Sequence, residues 1–126
     1  ICYEIIYSGK IKKEDQYPDL IINISEDAWF GKSVGPHQHF TKAIYRSIEE
    51  GVFIARSANK GISAFIDPNG RTLKSLNTGE SGNIELNFPY FYKSTFFSNY
   101  GNKIYFSIIL MYIFFILIFK NLKHNE

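Results

Sequence analysis

Leu20-Ile21-Ile22-Asn23-Ile24, the loop from Glu26 to Pro36, the segment from His37 to Glu50, then Gly51 and Val52 to Ala58 follow one another in the chain. That order decides the fold class. The first run is short and apolar, bounded by Asp19 and Ser25, and suits a buried strand. Two glycines and a proline mark residues 26–36 as a loop. From His37 to Glu50, Phe40, Ala43, Ile44 and Ile48 recur at spacings of three and four, which predicts a helix stopped by Gly51. Strand character returns at Val52 to Ala58.

Working outward, Asn59-Lys60-Gly61 predicts a turn and Ile62 to Ile66 a second strand. Asp67-Pro68-Asn69-Gly70 is a strong reverse-turn sequence. Thr72 to Leu76 and Asn83 to Asn87 are weaker strand candidates. Strands and helices mixed in this order imply an α/β layered domain over residues 1–87. Residues 88–103 form an aromatic connector, and 104–119 an unbroken apolar run with no charge. As a helix those 16 residues cover about 24 Å at ~1.5 Å per residue. Lys103 and Lys120 bracket the run and can snorkel, so it reads as one transmembrane helix. Lys120, Lys123 and His124 follow it, which places the tail, 120–126, in the cytoplasm and the α/β part outside.

The composition of the 126 residues excludes several classes. A net charge of +2, evenly spread, gives no nucleic-acid footprint. The single cysteine excludes an internal disulfide framework and a Cys-rich zinc module. Aromatic residues reach 17%, concentrated in the connector and the apolar run. Gly31, Gly35, Gly61 and Gly70 match no phosphate-binding pattern.

Cys2 stands between an apolar residue and the helix-prone segment Glu4-Ile5-Ile6. At such a strand-to-helix elbow the following backbone N–H groups can receive an oxyanion, and the helix end favours a thiolate. Glu4, two residues on, is placed to orient a neighbour or accept a proton. A lone cysteine is more often a small buried hydrophobe. His37 and His39 do not share a helix face and His124 lies beyond the apolar run, so no metal set is spaced to form. Spacing leaves a Cys–His dyad open. Trp29-Phe30-Gly31 reads either as a recognition loop or as a hydrophobic plug. Arg56 and Asn59 read either as pocket-lining residues or as supports for the turn after them.

Taken together, several of these stretches resemble one family. Cys2-Tyr3-Glu4 resembles the nucleophile motif of the apolipoprotein N-acyltransferases, a membrane-embedded branch of the nitrilase (carbon–nitrogen hydrolase) superfamily. The likeness continues through residues 23–31, 35–39 and 56–64, the turn at Asp67 and the terminal apolar run. It implies the C-terminal half of a nitrilase-like α-β-β-α sandwich followed by one transmembrane helix, with no cofactor. It also implies a phospholipid acyl donor, a thioester on Cys2, a diacylglyceryl apolipoprotein as acceptor, and a catalytic domain on the periplasmic side of the bacterial cytoplasmic membrane. By the same resemblance Cys2 is the nucleophile, Tyr3 and Glu4 flank it, and the Tyr3 N–H contributes to the oxyanion hole. Trp29, Phe30 and Asn59 support or line the site.

The family's catalytic glutamate and lysine precede the cysteine, and this chain begins one residue before it. Lys10, Lys12 and Lys13 match no catalytic position. The expectation is a C-terminal fragment, inactive alone, whose missing half is encoded upstream or carried by a separate chain. The resemblance assigning the base to an upstream glutamate, His37→Ala and His39→Ala are both expected to be milder than loss of Cys2. A soluble nitrilase-type amidase and a non-catalytic membrane-anchored domain are the competing readings.

Overall fold

The computed structural model describes residues 3–9, 11, 17–87 and 94–124, without the side chains of Leu122 and His124. Strand β1 (Leu20–Glu26) leads through helix α1 (Gly35–Glu50) to β2 (Phe53–Asn59), and β1 and β2 pair in parallel from Leu20↔Phe53 to Glu26↔Asn59. A parallel pair needs such a crossover, and α1 supplies it. Strands β3 (Ser63–Ile66) and β4 (Thr72–Leu76) continue by antiparallel pairing, giving one sheet in the order β1-β2-β3-β4.

The core lies between the sheet and α1, where Ile21, Ile54, Ala64 and Ile66 meet Ala43, with Val52, Ile62 and Ile5 completing the cluster. Helix α1 starts two residues earlier than expected, at Gly35. Pro36 lies in its first turn, where a missing N–H costs nothing, and the Ser33 hydroxyl accepts from the Gly35 N–H at 3.1 Å. Gly51 ends the helix in the left-handed conformation at φ 70°, its N–H bonding the Ser47 carbonyl at 2.9 Å. The buried face of α1 differs from the apolar stripe. Ile48 is exposed, while His39, Arg46, Ser47 and Glu50 are buried beside Ala43. His39 is met by Asp27 at 2.8 Å, Arg46 pairs with Glu49 of the same helix at 2.9 Å, and the Ser47 hydroxyl donates to the Ile44 carbonyl at 2.8 Å.

The turn after β3 forms as expected. Asp67 Oδ1 accepts from the N–H groups of Asn69 and Arg71 at 2.9 and 2.8 Å, and Gly70 takes φ 79°. The strand expected at Asn83 to Asn87 does not form. This segment meets β4 through the Lys74 ammonium, which donates to the Glu85 carbonyl, rather than through a ladder. Residues 82–84 instead edge a groove on the outer face of the sheet with Ile22, Ala55 and Phe65.

Within the described part of the connector lies a short helix, α2 (Phe96–Tyr100), capped by the Thr95 hydroxyl, which accepts from the Ser98 N–H at 2.9 Å. Thr95 Oγ1 also donates to the Glu49 carbonyl of α1, and Tyr17 donates to Asn99 Oδ1 at 2.8 Å. After Gly101 and Asn102 comes α3 (Lys103–His124). Its segment Lys103–Asn121 is long and apolar enough to cross a membrane, and none of it is buried against the rest of the chain. A helix apolar on every face and uncovered by protein is suited to lipid.

Candidate active site

Cys2 lies outside the described residues; the chain is described from Tyr3. A single 3₁₀ turn, Glu4–Ile6, comes after the cysteine rather than a longer helix. The Tyr3 carbonyl accepts from the Ile6 N–H at 3.2 Å, and Ile5 pins the turn into the core. Tyr3 and Glu4 face different surroundings. Tyr3 lines a cavity of about 190 Å³ together with Ile6, Phe30, Gly35 and His39, at the start of α1. Glu4 lines a groove along β1 with Ile22 and Ile24.

Three of the residues singled out in the sequence come together. The Tyr3 ring stands edge-on to Trp29 at 6.0 Å, and Trp29 lies 5.7 Å from Phe30. Phe30 presses so closely on the first turn of α1 that a Cβ on Gly35 would sit 2.3 Å from its ring. Trp29 is 70% exposed, so the loop is no buried plug. Asn59 stands apart from the cavity. Its amide donates to Glu26 Oε2 at 2.8 Å, its carbonyl accepts from the Asp27 N–H at 3.0 Å, and it thereby fixes the start of the aromatic loop. Glu26 Oε1 also accepts from the Ala28 N–H at 2.9 Å. The Asn59 amide first, and then the Ala28 N–H, hold the Glu26 carboxyl below its ordinary pKa.

Next to the cavity is a buried polar network that joins Arg56 and His39 to Asn23, Ser25 and Asp27, three residues to which the sequence assigned no individual role. Asn23, Ser25 and Asp27 continue the inward register of Ile21, and Arg56 lies directly opposite Asn23 on β2. Arg56 donates to Asn23 Oδ1, to Asp27 Oδ2 at 2.8 Å and, from Nε, to the Ile62 carbonyl at 3.2 Å. Arg56 therefore supports the turn that follows β2 instead of lining the cavity. Asp27 Oδ1 takes the remaining contacts, from the Ser25 hydroxyl and from His39 Nδ1, both at 2.8 Å. Gly61 is required beside this carboxylate, because a Cβ there would meet Asp27 Oδ2 at 2.2 Å. The residue types of Ser25, His39 and Asp27 suggest a hydrolytic triad, but the geometry is wrong. Ser25 donates to the aspartate rather than to the histidine, and all three are buried. The two histidines that sequence treats alike part company, with His37 exposed and His39 buried.

Tyr3 and the first turn of α1 thus share one cavity at the end of a βαβ-led sheet. The family model for carbon–nitrogen hydrolases matches residues 1–88, and the chain belongs to that family. Among curated relatives, it is 44% identical over 119 residues to the apolipoprotein N-acyltransferase of Rickettsia prowazekii (strain Madrid E), covering 94% of this chain and 23% of that protein. It is 42% identical over 127 residues to the enzyme of that name from Rickettsia bellii (strain RML369-C), covering 100% of this chain and 25% of the relative. For the Bradyrhizobium diazoefficiens enzyme of the same name the identity is 43% over 102 residues, or 81% of this chain and 19% of the relative. The chain thus spans a quarter or less of the length of these relatives.

Proposed function

We propose that the chain is the C-terminal part of an apolipoprotein N-acyltransferase with Cys2 as its nucleophile. The observation that carries the reading is the clustering of Tyr3, bonded to Cys2, with Trp29 and Phe30 around one cavity, in a chain that ends in an uncovered apolar helix. In the first half-reaction the Cys2 thiolate attacks the ester carbonyl of a phospholipid. The tetrahedral oxyanion, met by the Tyr3 N–H, collapses, the C–O bond breaks, and the lysophospholipid leaves with a proton. In the second, the amine of a diacylglyceryl-cysteine lipoprotein attacks the thioester and gives a proton to the upstream base, the C–S bond breaks, the amide forms and the thiolate is released. Glu4 acts beside the nucleophile. A base and an ammonium from residues upstream of Cys2 complete the machinery, because a thiol with a pKa of about 8.5 is mostly protonated at neutral pH. Without them residues 1–126 are inactive. Residues 104–119 span the bacterial cytoplasmic membrane, with 120–126 in the cytoplasm and the cavity on the periplasmic side.

The test uses this chain completed on its N-terminal side with the corresponding portion of the Rickettsia prowazekii relative. Acyl transfer from phospholipid to a diacylglyceryl peptide is measured, with the thioester trapped when the peptide is left out. Cys2→Ser is expected to abolish both, since an alcohol is not ionised by a base that ionises a thiol. Near-normal turnover by Cys2→Ser, or an acyl group trapped elsewhere, would refute the assignment.

A further inference from the structure

We propose that His39 is a positioning residue that holds the Tyr3 ring, and through it the backbone that follows Cys2; the proposal rests on the reading of Cys2 as nucleophile. The Tyr3 ring lies 5.4 Å from that of His39 at an interplanar angle of 34°, and Phe30 packs on the same imidazole at 5.9 Å. His39 is 4% exposed. It is tied to the sheet, because Asp27 accepts from Nδ1 and is itself held by Arg56 from β2. Nδ1 faces a carboxylate oxygen and so carries the hydrogen, which in the neutral ring leaves Nε2 a bare acceptor. Nε2 is buried and has no partner among the described residues, and the side chain lines the cavity that Tyr3 and Phe30 share.

These contacts form one line of transmission, from Arg56 through Asp27 and His39 to Tyr3, and across one peptide bond to Cys2. The turn that carries Tyr3 is only three residues long, and Tyr3 is itself 44% exposed. Its orientation therefore depends on the rings beside it. Trp29 is more exposed still, whereas His39 is fixed by a fully buried carboxylate. Of the two, His39 is the rigid support. A shift of about 1 Å in a reacting group costs on the order of 100-fold in rate, so a small displacement of Tyr3 is enough to be read in the acylation step.

Two variants separate support by the ring from simple upkeep of the network. His39→Asn keeps an N–H donor for Asp27 and loses the ring. His39→Phe keeps the ring against Tyr3 and loses the donor. In the completed chain, thioester formation on Cys2 from a phospholipid vesicle is followed in a single turnover, per folded molecule. His39→Asn is expected to slow acylation about 10- to 100-fold with the KM for the phospholipid unchanged, and His39→Phe to retain more of the rate. Tyr3→Ala combined with His39→Asn is expected to be no slower than the worse single variant, because both remove the same alignment. A rate for His39→Asn equal to or above that of His39→Phe overturns the proposal, as does a double variant whose losses multiply. Failure of the unsubstituted completed chain to form a thioester at Cys2 is a different result, and it removes the functional reading and this inference together.

Discussion

Strand β1 sends its alternate side chains into opposite surroundings. Toward α1 it presents Ile21, Asn23 and Ser25, all buried; away from α1 it presents Ile22 and Ile24, which are 69% and 58% exposed. Parallel strands are ordinarily covered on both faces. Here the crossover helix covers one, and the other carries large apolar side chains that line open grooves, Ile22 with residues 82–84 and Ile22 and Ile24 with Glu4. The contrast separates two uses of the same strand. The covered face carries specific polar contacts and organises the cavity. The open face is apolar and unspecific, the character of a surface that meets another layer, and the proposed longer enzyme accounts for it.

Three experiments test that contrast. The largest effect is expected on the covered face. Asp27→Ala leaves the Arg56 guanidinium buried without its carboxylate, a loss of about 3–5 kcal/mol that denaturant unfolding of the chain in detergent will read as collapse of the transition. Wild-type-like unfolding would mean that the network does not hold this face together. The open face is expected to respond to its context. Ile24→Ser should change the unfolding of the 126-residue chain by less than about 0.5 kcal/mol, since the side chain is already in solvent. The same substitution should cost about 1–3 kcal/mol in the completed chain if a further layer buries it. Equal, negligible effects in both would show that nothing covers this face.

The smallest effect concerns the exposed end of β1, where Asn59→Ala removes the main cause of the lowered Glu26 pKa. A carboxyl whose folded pKa is depressed stabilises the fold above its unfolded value, and that contribution is lost as pH falls through the folded value. The wild type should therefore melt slightly higher than Asn59→Ala at neutral pH. The difference should shrink as the pH drops below the ordinary 4.5, and melting curves at both ends of that range will show it. A difference independent of pH would mean that the Asn59 amide does not act through the charge on Glu26.

The parallel pair and its crossover are legible in the sequence because the apolar run at Leu20, the glycine stop at Gly51 and the turn at Asp67 are local signals. Asn83 to Asn87 misleads because its alternation matches a strand, whereas the segment meets the edge strand β4 through the Lys74 side chain and not through its backbone ladder. The buried face of α1 is hidden for a related reason. His39 is partnered by Asp27 after β1, Arg46 and Ser47 by groups of α1 itself, and an apolar stripe registers only apolar burial. Of the site, Tyr3, Trp29 and Phe30 are legible through a family motif. The joining of Asp27, His39 and Arg56 depends on strand register, though the inward phase of Asn23, Ser25 and Asp27 behind Ile21 is a usable signal. His37 and His39 differ only by the face of α1 on which each falls, so a length of helix has to be placed against the sheet before they can be told apart.

Helix α1 has a second consequence as a spacer bar. Its last turn is clasped at Glu49 by Thr95, and α2 joins the apolar helix through Gly101 and Asn102 alone, a leash of at most about 7 Å. Gly101 sits at φ 52° with ψ −141°, a bend that side chains rarely permit, so even this leash has a set direction. From Glu49 back to His39 is about 15 Å along the helix axis at ~1.5 Å per residue. The stand-off between the head of the apolar helix and the cavity is thus gauged by a rigid rod, and altering the length of α1 would raise or lower the cavity without touching a single residue that lines it.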